Sequence, residues 1–565
     1  MTDAPEPHRA VFSGDEVAPV AAVAGPEPGP GAADTLSPTE RVVPTWTDPT
    51  VRRASDLIGG PLGVHAQVGR NSFLTPLRVC LMMAIAVLIC GWLYKAACIQ
   101  QMPDGNGGFT LDQGGQRPWI TACYNDVVPL YGSHQLDTQQ LPYATSWEDN
   151  GQIRYMEYPV VTGYWMWAVS GITEGYLWLA EKVGLPQPLD VAAYFTIGAI
   201  LLGMLYLLAV ACTARIARRR VWDTAIMCLS PLLIVHAFTN WDLLAIGVTA
   251  AAMLAWARSR PPEPGGSAAL GLPILAGVLI GVGTAAKLYP ALLLGPLLIL
   301  CLRTGRMPQW LVTAGAAALT WAVINVPVML AYPDGWYEFI RLNTERPAEY
   351  DSWYSIFSTL SGSTVFNTPD GASSPGLLNT LSLVLFLLAC AAIGWLGLSA
   401  QRRPRFAQLA FLLVAAFLLT NKVWSPQYSL WLVPLVVLAL PRWRPVLAWQ
   451  FSEWVVWILL MLSFDSDSGK NLSIYPFIGA AIIRDALLIT LMVKVIREIL
   501  RPSTDLVRMA GDDDPSGGTL ENAPDRFTLP SLPALWRRPA REAAPAAAAA
   551  PGEEPVPVPV SPPAS

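Results

Sequence analysis

Apolar residues in this chain run in long blocks separated by short polar junctions. Two examples are 77–94 (LRVCLMMAIAVLICGWLY) and 381–398 (LSLVLFLLACAAIGWLGL). Runs of about 18 or more residues with almost no charge read as membrane-crossing helices. The pattern predicts twelve spans, near 78–97, 190–213, 222–238, 241–257, 268–286, 288–304, 310–331, 376–399, 406–421, 428–440, 446–463 and 473–500. The expected fold is an all-α polytopic membrane protein filling residues 72–500. It carries a large first outer loop over 99–189 and a second over 331–375. No cleavable signal peptide is expected ahead of the first run.

The junctions alternate in charge. Thirteen arginines fall in five clusters, at 215–220, 258–260, 303–306, 402–405 and 442–444. Between residues 99 and 157 there are seven acids against Arg117 and Arg154, and between 331 and 375 six acids against Arg341 and Arg346. Basic junctions mark the cytoplasmic side, which predicts cytoplasmic termini and a cell membrane location. One stretch, 158–180, is apolar enough to span, but if it did, every later junction would fall on the wrong side. It also holds Glu174 and six Tyr or Trp residues, types enriched at the interface, so a helix lying in the outer interface is expected there.

Composition sharpens the picture at the ends. The chain is 53% hydrophobic and 14% charged, against roughly 25% charged in a soluble domain. Residues 1–71 and 501–565 are instead rich in Pro, Ala, Gly and Glu, a composition expected to stay disordered. The net charge of −5 says little about partners, and nothing points to nucleic acid. Six of the eight cysteines sit in apolar runs as small hydrophobes. Cys98 and Cys123 lie in the first outer loop, where disulfides are permitted. They are expected to pair, the alternative being two unlinked thiols.

There is no phosphate-cradling GxxxxGK[ST], no HExxH and no CxxC, and the four histidines are scattered, so no metal site is expected. The remaining polar residues gather at outer span ends. Asp126 is flanked by Tyr124, Asn125 and Tyr131, and Glu157 precedes the interfacial helix. A partly desolvated carboxylate there suits a general base, although a single loop acid is more often merely solvated. Lys287 lies at an outer helix junction against the charge bias, placed to hold a lipid phosphate or simply to snorkel. A tight turn carries Asn421, Lys422, Ser425, Gln427 and Tyr428, and Asn240 with Asp242 reads as a helix cap.

In their order, YNDVVPLY around Asp126, EYP at 157–159, KLYP at 287–290 (with Tyr289) and SPQY at 425–428 resemble the GT-C membrane glycosyltransferases. The nearest likeness is to glycosyltransferase family 87, over about 77–500. That family includes actinobacterial polyprenol-phosphate-mannose-dependent α-mannosyltransferases. The resemblance implies a hexosyltransferase that needs no cofactor. The implied donor is a polyprenyl-phosphate sugar, mannose foremost, delivered from the outer leaflet to a glycolipid or cell-envelope glycan. Asp126 would be the base, and Lys287 would hold the donor phosphate. Glu157, Tyr124, Asn125, Tyr131, Tyr289, Asn421, Lys422, Gln427 and Tyr428 would line the site. The inserted stretch 99–122 departs from the family pattern and leaves the acceptor open. A multi-pass transporter or lipid-linked sugar flippase is the alternative, although no internal repeat supports it; a membrane scaffold is a weaker one.

Overall fold

A computed structural model describes residues 48–57, 73–261, 269–464 and 472–530. Among these residues, six helices are long and apolar enough to cross a membrane: Pro76–Ile99, Asp190–Cys228, Met307–Ala331, Gly376–Ser399, Trp443–Ser463 and Ile474–Leu500. Five shorter apolar helices accompany them: Asp242–Ala257, Gly271–Ala286, Tyr289–Thr304, Phe406–Thr420 and Pro426–Ala439. These eleven segments coincide with eleven of the twelve expected spans. The chain is a helical membrane protein.

The twelfth, 222–238, is not a continuous helix. It breaks into short turns over Arg218–Thr224, Ala225–Cys228 and Pro231–His236. Pro231 supplies no N–H and pushes the preceding residue out of the helical region, and Ser230 is extended (φ −64, ψ 123). The freed carbonyl of Met227 is taken up by the Tyr206 hydroxyl at 2.8 Å. Backbone irregularity at this depth is tolerated because neighbouring helices bury it.

Small residues set the closest helix pair. A Cβ at Gly281 would lie 2.6 Å from the Ala317 carbonyl, and one at Gly277 would run into that of Thr313. Helices Gly271–Ala286 and Met307–Ala331 therefore approach backbone to backbone, the small-xxx-small packing favoured in lipid.

The stretch between the first two long helices is folded. Two small antiparallel hairpins pair Gln101–Pro103 with Phe109–Leu111 and Trp147–Asp149 with Gln152–Arg154. Cys98 and Cys123 form a disulfide, with Cα atoms 5.6 Å apart. Helix Val160–Val183 follows. It buries Val160, Gly163, Met166, Val169, Ser170 and Thr173, the three- and four-residue spacing of one face. The opposite face leaves Ile172, Trp178 and Leu179 exposed. Gly184 ends it in the left-handed conformation (φ 71).

Arg484 lies deep in helix Ile474–Leu500. It pairs with Asp485 (2.8 Å), as their adjacency suggests, but also with Asp351 (3.0 Å) and Glu453 (3.6 Å), under the Trp424 ring. Asp351 precedes helix Trp353–Ser361, so this cluster ties the second large loop to the bundle.

The tail expected from residue 501 onward differs from the structure. Residues 502–530 form a folded strap over the arginine-bearing ends of the helices. Asp505 pairs with Arg405 (2.8 Å), Asp513 with Arg402 (2.9 Å), Asp525 with Arg303 (2.7 Å) and Glu521 with Arg218 (2.6 Å). The backbone N–H groups of Arg526 and Phe527 donate to the Arg303 carbonyl. Composition hid this because the acids are matched by arginines up to 303 residues away in sequence. In the other tail, Pro49–Leu57 is helical and Thr50 touches Arg444. The rest of 1–71, and 531–565, lie outside the described residues.

Candidate active site

A cavity of about 590 Å³ opens where helix ends meet the folded loops. Its wall includes Tyr124, Asp126, Glu157, Lys287, Asn421, Lys422, Gln427 and Tyr428, brought together from four stretches of sequence. The local chain breaks explain why side chains point in. Lys287 ends helix Gly271–Ala286 in an extended conformation (φ −152, ψ 147) just before Pro290. Ser425 is likewise extended before Pro426. Each proline blocks helix continuation, leaving a polar residue at the gap.

Asp126 begins helix Val127–Ser133 without capping it. Asn125 does that work instead, its Oδ1 accepting the Val128 N–H at 3.0 Å. The Asp126 carboxylate is thereby free to face the cavity. Its Oδ2 accepts from Asn240 Nδ2 at 2.7 Å, and the same Nδ2 lies 2.8 Å from the Tyr158 hydroxyl. Its N–H donates to Thr239 O at 2.8 Å. Burial raises the Asp126 pKa, against lowering hydrogen bonds from Asn240 and Tyr124 and the positive charge of Lys287. Glu157 is also raised by burial, tempered by Arg346.

Lys287 lies across from this group. Its Nζ is 3.5 Å from Asp242 Oδ1 and sits over the rings of Tyr158 (5.5 Å) and Tyr428 (5.1 Å). Trp431 Nε1 donates to the same Asp242 oxygen at 2.7 Å. Asn240 and Asp242 are therefore not a helix cap: neither caps helix Asp242–Ala257 through its side chain. One holds the carboxylate and the other holds the lysine. The sequence signal was there, two polar residues in an apolar run, but capping offered a cheaper explanation. Arg346, Glu349 and Tyr158 also face the cavity. Arg346 was visible only as one of two basic residues in an acidic loop.

Three expected lining residues stand behind the wall. Tyr131 is buried against Tyr194 (4.4 Å), Tyr289 stacks on Trp431 (4.5 Å), and Asn125 is spent on its cap. Each is a short-range neighbour of a facing residue, and helical geometry turns it away. Lys422 lines the cavity, but its Nζ donates to the carbonyls of Arg346 (2.8 Å) and Thr344 (3.2 Å). It thus satisfies the end of helix Pro333–Glu345. Burial and nearby Arg346 push its pKa down to about 8.

Residues 184–426 match the model of glycosyltransferase family 87. That stretch is less than half of the chain. The matched stretch contains Asn240, Asp242, Lys287, Arg346 and Lys422, whereas Asp126 and Glu157 lie ahead of it. The chain is also similar to two solved structures of the Archaeoglobus fulgidus oligosaccharyltransferase. One is a crystal structure tethered with an acceptor peptide containing the NVT sequon, at 11% identity and TM-score 0.32, covering 76% of this chain and 56% of that one. The other, AglB in complex with an inhibitory peptide and a dolichol-phosphate, gives 10% identity and TM-score 0.35, covering 80% and 61%. The chain thus spans less than two thirds of either. No curated protein matches it.

Proposed function

We propose that this protein is a membrane glycosyltransferase of family 87, as the match over 184–426 supports, and that it transfers a hexose, mannose foremost, from a polyprenyl phosphate to an acceptor hydroxyl with inversion. The observation that carries this reading is a carboxylate and a lysine on one cavity wall, linked through Asn240 and Tyr158. Asp126 takes the proton from the acceptor hydroxyl as that oxygen bonds to the anomeric carbon. The bond from that carbon to the phosphate oxygen breaks, and polyprenyl phosphate departs. Lys287 neutralises the charge that grows on the leaving phosphate. The raised pKa of Asp126 makes its carboxylate a stronger base than that of an ordinary aspartate, which suits this role. The rings of Trp119, Tyr350 and Phe464 offer faces for a sugar, and Phe339, Leu342 and Leu460 offer an apolar surface for the first isoprene units.

The cell membrane is the proposed location, with both termini cytoplasmic and the cavity outward. The basic helix ends under the strap support that orientation. The donor reading is tested with purified full-length protein and a panel of polyprenyl-phosphate sugars, with nucleotide sugars as controls. Transfer from a nucleotide sugar alone would reject it. A cysteine placed at exposed Gln187 should label from outside only if helix Val160–Val183 lies in the interface; labelling from the cytoplasmic side would reject the topology.

A further inference from the structure

Helix Asp242–Ala257 starts at the candidate active site and ends, 16 residues later, beside a second cavity. At 1.5 Å per residue the two are about 24 Å apart along the helix. This second cavity, of about 660 Å³, is lined by Arg215, Arg218, Arg258, Arg260 and Arg306. The strap closes one side of it with Gly518 and residues 521–524. Glu521 is the acid on its wall, and both its oxygens are engaged by Arg218, at 2.6 and 2.7 Å. Among the described residues, the other four arginines have no acidic partner. Ile216, Leu254 and Ala257 add an apolar floor.

Guanidinium groups lining one cavity, without an acidic partner among the described residues, repel one another unless an anion joins them. Their planar forks match phosphate oxygens two at a time. We infer that this cavity binds a phosphoryl group, at the membrane face opposite the candidate active site. The ligand is either the headgroup of an anionic phospholipid, its chains leaving over the apolar floor, or a soluble phosphate ester. Because the strap forms part of the wall, an occupied cavity would also hold residues 502–530 against the bundle. The inference does not depend on the transfer chemistry proposed above.

The test uses full-length protein in vesicles of phosphatidylcholine, in the same vesicles with phosphatidylglycerol added, and in phosphatidylcholine with inorganic phosphate at matched ionic strength. Thermal unfolding is followed for the wild type, for an Arg258→Gln/Arg306→Gln variant, and for Arg497→Gln. Arg497 is an exposed arginine outside the cavity. The expected result is a rise on the order of 2 °C or more for the wild type and Arg497→Gln, lost in the double variant. A rise with phosphatidylglycerol alone assigns the lipid headgroup, and one that inorganic phosphate reproduces assigns a soluble phosphate. No rise in the wild type, or an equal rise in the double variant, would overturn the site. Should the double variant not fold, native mass spectrometry of wild-type protein from the mixed vesicles decides: enrichment of phosphatidylglycerol over phosphatidylcholine supports the headgroup, and equal retention of both, with no phosphate adduct, overturns the site.

Discussion

Asn240 Nδ2 sits 2.7 Å from Asp126 Oδ2 and 2.8 Å from the Tyr158 hydroxyl, so one amide fixes the carboxylate against the aromatic wall. A hydrogen bond to a charged group is worth about 1.5–3 kcal/mol. Asn240→Leu should therefore lower turnover about 10- to 100-fold with little change in KM. Asn240 also lowers the Asp126 pKa, so its removal should move the acid limb of the pH–rate profile upward. An unchanged limb would leave Asn240 a structural residue only.

Asp126→Asn keeps the shape of the site but removes its proton acceptor, so transfer should fall by about 10²–10⁴. Glu157→Gln is the comparison and should cost far less. Because burial raises the Asp126 pKa, wild-type activity should be present above that raised value and fall as pH drops through it. The midpoint should lie above the ordinary aspartate value of about 3.9. A profile flat through that range, or an Asp126→Asn enzyme with more than about a tenth of wild-type turnover, would remove the assignment.

Lys287→Met should weaken donor binding about 10-fold or more, the loss of one charge-assisted contact. Acceptor affinity should hardly move. Titration of the purified variant with a donor analogue measures this, and unchanged donor affinity would return Lys287 to a merely interfacial lysine.

Cys98 and Cys123 are 25 residues apart in sequence, and Asp126 follows three positions after the second. A Cys98→Ser/Cys123→Ser variant should lose about 2–4 kcal/mol of stability and part of its activity with it. Non-reducing peptide mapping of the wild type should recover the two as one linked species; finding both as free thiols would refute the pairing.

Asp505→Ala should loosen the strap. It leaves Arg405, itself buried, without its carboxylate partner, and an uncompensated buried charge costs about 3–5 kcal/mol. Arg405 outweighs burial and holds the Asp505 carboxyl below its ordinary value. The pair's contribution should therefore be complete above that ordinary value and fade as pH falls through the lowered one. Limited proteolysis near residue 510, faster in the variant and faster at low pH in the wild type, is the measurement.

The sequence by itself determined the helices and their ends. Unbroken apolar runs leave the backbone no partner but itself in lipid, so eleven apolar helices were legible from composition and length, six of them long enough to cross a membrane. Arginine clusters at 215–220, 303–306 and 402–405 were legible as one face because charge cannot rest inside the bilayer cheaply. Pro231 announced trouble in 222–238, yet whether the chain would kink or unwind depended on Tyr206 and the neighbours able to bury it. Only the tertiary structure decided that Asn240 serves Asp126 across 114 residues and that Asp242 serves Lys287. It alone decided that Tyr131 and Tyr289 face away, and that an acidic stretch after residue 501 folds onto distant arginines. Periodicity reports which face of an element is apolar; it carries no record of which polar group on another element completes a hydrogen bond, because that pairing exists only once the helices have packed.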